Sequence, residues 1–154
     1  MFTISNLSLQ EAVEIIKKIE SVAVEHEYLP VAIAVIGSDQ GLIAFRAMDH
    51  VFPVSRKLAI KKAWTALMGA CDTLYWQRQE EQGKLVGRNF ANPDFTCFGG
   101  GVVIMDSRLS GSIIGAIGVS GRNSSRVDED EPPQDHELAC IGLEAFTYLC
   151  GGQQ

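Results

Sequence analysis

The run Val31-Ala32-Ile33-Ala34-Val35-Ile36, the polar step Ser38-Asp39-Gln40-Gly41 and the run Leu42-Ile43-Ala44-Phe45-Arg46-Ala47-Met48 set the fold class. The first run is short and rich in β-branched residues, which favours a well-buried strand over a helix. Pro30 sets it off, and Gly41 closes a turn too short for a crossover helix, so residues 31–48 read as an antiparallel hairpin. A second pair follows downstream. Gly99-Gly100-Gly101 opens Val102-Val103-Ile104-Met105, Asp106-Ser107-Arg108 turns the chain, and Ile113 to Val119 returns it. Gly115 and Gly118 interrupt that last strand, and glycine there signals a bulge or the close approach of a helix or ligand.

Helices surround these hairpins. Ser8 and Glu11 form the two ends of a capping box, and Leu9, Ala12, Val13, Ile16, Ile19 and Ala23 follow at helical steps to about His26. A second helix is expected from about Ser55 to Gly69, with Leu58, Ala59, Lys62, Ala63, Ala66 and Leu67 in helical spacing. Cys71 to Gln82 continues the period as a short third helix, and Lys84 to Phe98 is irregular. Arg122 to Pro133 is polar and charged. A final helix is expected from Gln134 to Leu149, with Leu138, Ile141, Ala145 and Leu149 on its apolar stripe and Gly151-Gly152 ending it. The order therefore predicts a single α/β domain over residues 1–154, a largely antiparallel sheet flanked by helices. A dinucleotide-binding fold would need parallel crossovers and a strand-linked GxGxxG, and neither is present.

Composition bounds the partners. The chain has 154 residues, 46% of them hydrophobic, enough to bury roughly 70% of its extended surface without a metal or disulfide. A formal charge of −6 and a pI near 5.0 oppose nucleic acid and anionic membrane as dedicated partners. No apolar run approaches the roughly 20 residues of a membrane span, and the start MFTISNLSLQEA has neither the basic nor the continuous apolar region of a secretory signal. The expected location is the cytoplasm. Cys71, Cys97, Cys140 and Cys150 form no CxxC pair, which reads as reduced thiols and not as a zinc or dithiol site.

Several motifs resemble one known family. FRAMD at the end of the first hairpin, Lys62-Ala63-x-Thr65-Ala66, the strand GGVVIMD and above all Gly115-Ala116-Ile117-Gly118-Val119-Ser120-Gly121 are similar to the GlcG/HbpS-like family, over nearly the whole chain. The resemblance implies a three-layer fold on an antiparallel sheet, assembly into homo-oligomers, and binding of haem or a related tetrapyrrole, as several members do. It also implies an accessory role beside catabolic enzymes. The chain departs from the family pattern at Cys97 to Ile104, where two prolines are missing, and in longer segments at 77–96 and 122–137.

The residues that could carry chemistry are few. Haem iron takes an imidazole most readily, and His50, after the second strand, is the best placed of three histidines; His136 lies in the first turn of the last helix and His26 at a helix end. Each also reads as an ordinary solvated side chain. Arg56 and Lys62 are candidates to hold a small anionic ligand, with Lys62 inside the family-like motif. Gly99, Gly100, Gly101 and Ser120 could offer backbone amides to an anion, or could simply be tight strand entries. GVSG is not a nucleophile elbow. The acidic run Asp128-Glu129-Asp130-Glu131 lacks a calcium-loop plan, and no metal site is expected.

Two functions follow. One is an accessory protein that binds a small ligand or cofactor, with haem as a candidate. The other is a cofactor-free isomerase, tautomerase or lyase acting on a small carboxylate or keto compound. There Lys62 or Arg56 would hold the anion, glycine-loop amides would stabilise developing oxyanion charge, and Asp49 or His50 would move a proton. In that second case Lys62→Ala should abolish turnover and leave the fold intact.

Overall fold

The computed structural model describes residues 5–84, 91–121 and 134–151, with side chains to Thr147. Helix α1 spans Leu9–Glu25, strands β1 and β2 span Ala32–Gly37 and Leu42–Ala47, and helices α2 and α3 span Pro53–Gly69 and Thr73–Glu81. Strand β3 covers Gly101–Asp106, β4 covers Ser112–Ser120, and α4 covers Gln134–Gly151. The four strands form one antiparallel sheet in the order β2-β1-β4-β3. The two hairpins are thus joined through β1 and β4, with Ala32 opposite Ser120 and Gly37 opposite Gly115. Helices α1 and α4 cover one face and α2 the other, with α3 beside α2 and β3. This is the expected three-layer domain.

Side-chain size on β1 explains why the faces differ. Val31, Ile33 and Val35 point into the large apolar core under α1 and α4. Ala32 and Ala34 face α2, where Ala59 and Val51 meet them. Alternation of large and small residues along one strand therefore produces one thick interface and one thin one. The thin one is tightest at Gly118, which pairs with Ala34 on one side and Gly101 on the other. A Cβ on Gly118 would lie 1.9 Å from the Ala59 carbonyl oxygen, and one on Gly101 2.2 Å from that of Lys62. The backbone of α2 rests directly on this row of small residues. Close approach of a helix is thus the reason for Gly118; the irregularities in the sheet lie elsewhere, between Val35 and Ile36 and between Ile104 and Met105.

The helices begin and face as local chemistry dictates, with two differences from expectation. The Ser8–Glu11 capping box forms, the Ser8 amide donating to Glu11 Oε2 at 2.8 Å and the Glu11 amide to Ser8 Oγ at 3.2 Å. Its buried stripe is Ala12, Ile15, Ile16, Ile19, Val22 and Ala23, whereas Leu9 is exposed. In α4 the inward residues are Leu138, Ala139, Gly142 and Phe146, and Ile141 and Ala145 sit at the edge. Gly142 makes the difference: a Cβ there would stand 2.6 Å from Ile19 Cδ1, so α1 is drawn onto that side of α4. Helix α2 starts at Pro53, whose missing amide proton costs nothing in a first turn.

Candidate functional site

One face of α2 carries Ser55, Ala59, Lys62, Ala63 and Ala66 inward, at helical spacing. Three of these five are alanines and Ser55 is nearly as small, as the thin interface demands, so Lys62 is the one long side chain among them. Its side chain is 2% exposed, and Nζ donates to the Val119 carbonyl at 2.9 Å and to Asp135 Oδ2 at 2.8 Å. Asp135 is equally buried, in the first turn of α4, where a carboxylate also meets the positive end of the helix. Burial lowers the Lys62 pKa from its ordinary value, and the Asp135 charge and hydrogen bond oppose that shift. Gly100, at φ 119°, passes so close that a Cβ would meet Asp135 Cβ at 2.9 Å and Lys62 Nζ at 3.1 Å. Glycine is therefore required beside the ion pair.

The pair forms the floor of a cleft of about 330 Å³, at the small end of ligand pockets. Leu29, Phe52, Val54, Leu58 and Phe98 make its walls, and Ser55, Ser120 and Gly121 join Lys62 and Asp135 below. Phe52 is 67% exposed and Phe98 51%, a costly display of apolar surface at the mouth of a polar floor. Ser55 and Ser120 are 5% and 3% exposed, and neither hydroxyl has a hydrogen-bond partner among the described residues. Phe98 is held in place by the strap that precedes β3. The Thr96 amide donates to Thr65 Oγ1 at 3.0 Å, the Gly99 amide to Gln77 Oε1 at 2.7 Å and the Gly101 amide to Thr73 Oγ1 at 2.8 Å. Two of the three glycine amides are thus engaged within the protein.

Of the residues singled out from sequence, Lys62 and Ser120 meet in this cleft, and Gly99, Gly100 and Gly101 pack beside it. Asp49 and His50 lie exposed in the turn after β2, His50 at φ 66°, and Arg56 is exposed on α2. None of the three lines the cleft. Sequence reasoning missed Ser55, Asp135 and the aromatic rim. The available signals were a serine about two helical turns before Lys62 and an acidic residue opening the last helix. The run 128–131 lies outside the described residues, among which no group of three or more His, Cys, Asp and Glu converges as a metal site. No helix among them is long and apolar enough to cross a membrane.

His136 occupies a different environment from its neighbour Asp135. Its Nε2 lies 3.4 Å from Cys140 Sγ one turn on, and its Nδ1 is buried without a hydrogen-bond partner among the described residues. Burial lowers its pKa, with Asp72 raising it and Arg78 lowering it further. Burial, Asp72, Glu144 and Glu137 push the Cys140 thiol up to about 11. Among the described residues, Cys71, Cys97 and Cys140 form no disulfide with one another. A histidine that resists protonation when folded makes the unfolded chain the better proton acceptor, so stability falls as pH drops below about 6.5. Thermal melts between about pH 7 and about pH 5 should show a smaller fall for His136→Gln than for wild type; parallel curves would remove His136 as a source.

The family model described as haem degrading protein HbpS-like matches residues 7–143. A curated relative, the uncharacterized 15.0 kDa protein in the dhaT-dhaS intergenic region of Citrobacter freundii, is 28% identical over 148 residues, 95% of this chain and 96% of its own. Among solved structures, Klebsiella pneumoniae protein ORFY superposes with a TM-score of 0.81 at 23% identity, over 96% of this chain and 94% of that one. A PduOC–haem complex does so with 0.76 at 22% identity, over 91% and 94%. At these identities the two structures share the fold.

Proposed function

The chain belongs to the HbpS-like family, and from that premise and the geometry of the cleft we propose that it is an accessory binding protein for a small ligand with an apolar body and a hydrogen-bonding end. The observation that carries this reading is the pair of hydroxyls of Ser55 and Ser120, which open into the cleft beneath an exposed aromatic rim and have no hydrogen-bond partner among the described residues. Each hydroxyl can donate and accept, so the two together can hold the polar end of a ligand. Asp135 already answers the Lys62 charge, so the floor favours a neutral acceptor such as a carbonyl over the small anion expected from sequence.

Haem enters the proposal through the family and the PduOC complex. Apolar walls suit a porphyrin face, but the described lining offers no imidazole, thiolate, thioether or phenolate to its iron. As a haem-ligating pocket the cleft does not fit. Cytoplasmic location, self-assembly and service to a catabolic pathway belong to the same proposal and rest on the family resemblance; exposed Val54, Ile60, Met68 and Tyr75 on and near α2 support self-assembly.

The test is a titration of wild type and of Phe52→Ser/Phe98→Ser, followed by backbone amide NMR with acetophenone and by absorbance with hemin. Both phenylalanines are mostly solvated, so the double variant should melt within about 2 °C of wild type while acetophenone binding falls at least about tenfold. Hemin should give no Soret change that depends on His50 or His136. Equal acetophenone binding in the variant, or a Soret band lost in His50→Ala, would overturn the proposal.

A further inference from the structure

Lys62 is an amine where a merely structural partner for Asp135 would more commonly be an arginine. A guanidinium meets a carboxylate with two bonds and stays charged, whereas an amine can lose its proton and act as a nucleophile. The stem of the side chain fills the alanine-lined face of α2, and Nζ reaches the Val119 carbonyl and Asp135 at the floor of the cleft. The surroundings supply the rest of a reaction. Asp135 Oδ2 stands 2.8 Å from Nζ, where it can take the ammonium proton, and Ser55 and Ser120 line the same cleft with hydroxyls that bond to no other described residue. Two of the three ammonium protons have acceptors, Val119 and Asp135. Gly100 leaves the space beside Nζ that any larger residue would occupy. The burial of Lys62 itself, 2% exposed, favours the neutral amine.

We propose that the ligand is an uncharged aldehyde or ketone and that the cleft captures it as an imine on Lys62. The inference rests on the ligand-binding reading above. In the step, Asp135 accepts a proton from the Lys62 ammonium, and the nitrogen lone pair forms a bond to the carbonyl carbon as the carbonyl π pair moves to oxygen. The oxygen takes that proton and becomes the hydroxyl of a carbinolamine, held by Ser55 and Ser120. Asp135 then receives a second proton from nitrogen and delivers it to the hydroxyl, which leaves as water while the nitrogen pair closes the C=N bond. Ammonium and carbonyl become protonated imine and water, with no oxidant, reductant or metal consumed. Burial, which lowers the Lys62 pKa, assists the first proton transfer.

The experiment uses the full chain with benzaldehyde and sodium cyanoborohydride at neutral pH, read by intact mass and peptide mapping, beside an NMR titration with benzaldehyde alone. The expected result is one benzyl group per chain, on Lys62, at a rate that saturates with benzaldehyde while Lys17, Lys18, Lys57, Lys61 and Lys84 stay unmodified over the same interval. Ser55→Ala/Ser120→Ala, which keeps the ion pair, should slow trapping on Lys62 at least about tenfold, with the surface lysines still unmodified over that interval. Benzaldehyde that shifts the cleft amides yet labels surface lysines and spares Lys62 would overturn the imine and leave the binding reading standing. Benzaldehyde that shifts no cleft amide would remove both.

Discussion

Lys62→Met should lose about 3–5 kcal/mol of stability, the cost of breaking a buried ion pair from one side. Methionine matches the lysine stem in length and stays among the alanines of α2, so packing changes little; what is lost is the countercharge of Asp135, itself 2% exposed. At about 2–4 °C per kcal/mol for a domain of this size, the melting temperature should fall by roughly 10 °C. Lys62→Met/Asp135→Leu should regain most of that loss, because it removes both charges together. Chemical melts of the four members of the cycle check this directly. A single variant as stable as wild type would mean that the pair is hydrated, and the floor of the cleft would have to be redrawn. The same argument corrects the expectation that Lys62→Ala would spare the fold: an alanine here removes a countercharge and a filled volume at once.

Gly118→Ala should be comparably severe for a different reason. The added carbon would stand 1.9 Å from the Ala59 carbonyl oxygen and 2.7 Å from the Ala63 amide nitrogen, and both are backbone atoms in the middle of a helix. No rotamer relieves that, so α2 must lift off the sheet and open the interface along Ala34, Gly118 and Gly101. A loss of about 4 kcal/mol or more is expected, at the upper end of what single substitutions do. Gly83→Asn is the control, since Gly83 at φ 71° faces open space and asparagine tolerates that conformation. Urea melts that place Gly118→Ala within about 1 kcal/mol of wild type would show that α2 is free to shift.

Both hairpins, all four helices and the antiparallel layering are legible in the sequence, because each depends on signals within a few residues: a capping box, an alternating strand, a four-residue turn. The order of strands is less so. It rests on β1 meeting β4 across some 80 residues, and no local pattern records that pairing. Helix faces slip for the same reason, since Leu9 fits the stripe of α1 yet Gly142 on α4 decides which side of α1 is buried. At the site, Lys62 could be named from its motif, but its partner Asp135 is 73 residues away and reads locally as a first-turn carboxylate. Phe52 and Phe98 carry no chemical signature of their own; only their shared exposure over the cleft gives them meaning.

Amide chemical-shift mapping of the full chain with acetophenone tests the account most directly. It predicts saturable shifts concentrated at Ser55, Leu58, Phe98, Ser120 and Gly121, the residues that floor and rim the cleft. Shifts confined instead to the groove between α1 and α4, around Lys17, Ser21 and Ile141, would contradict it.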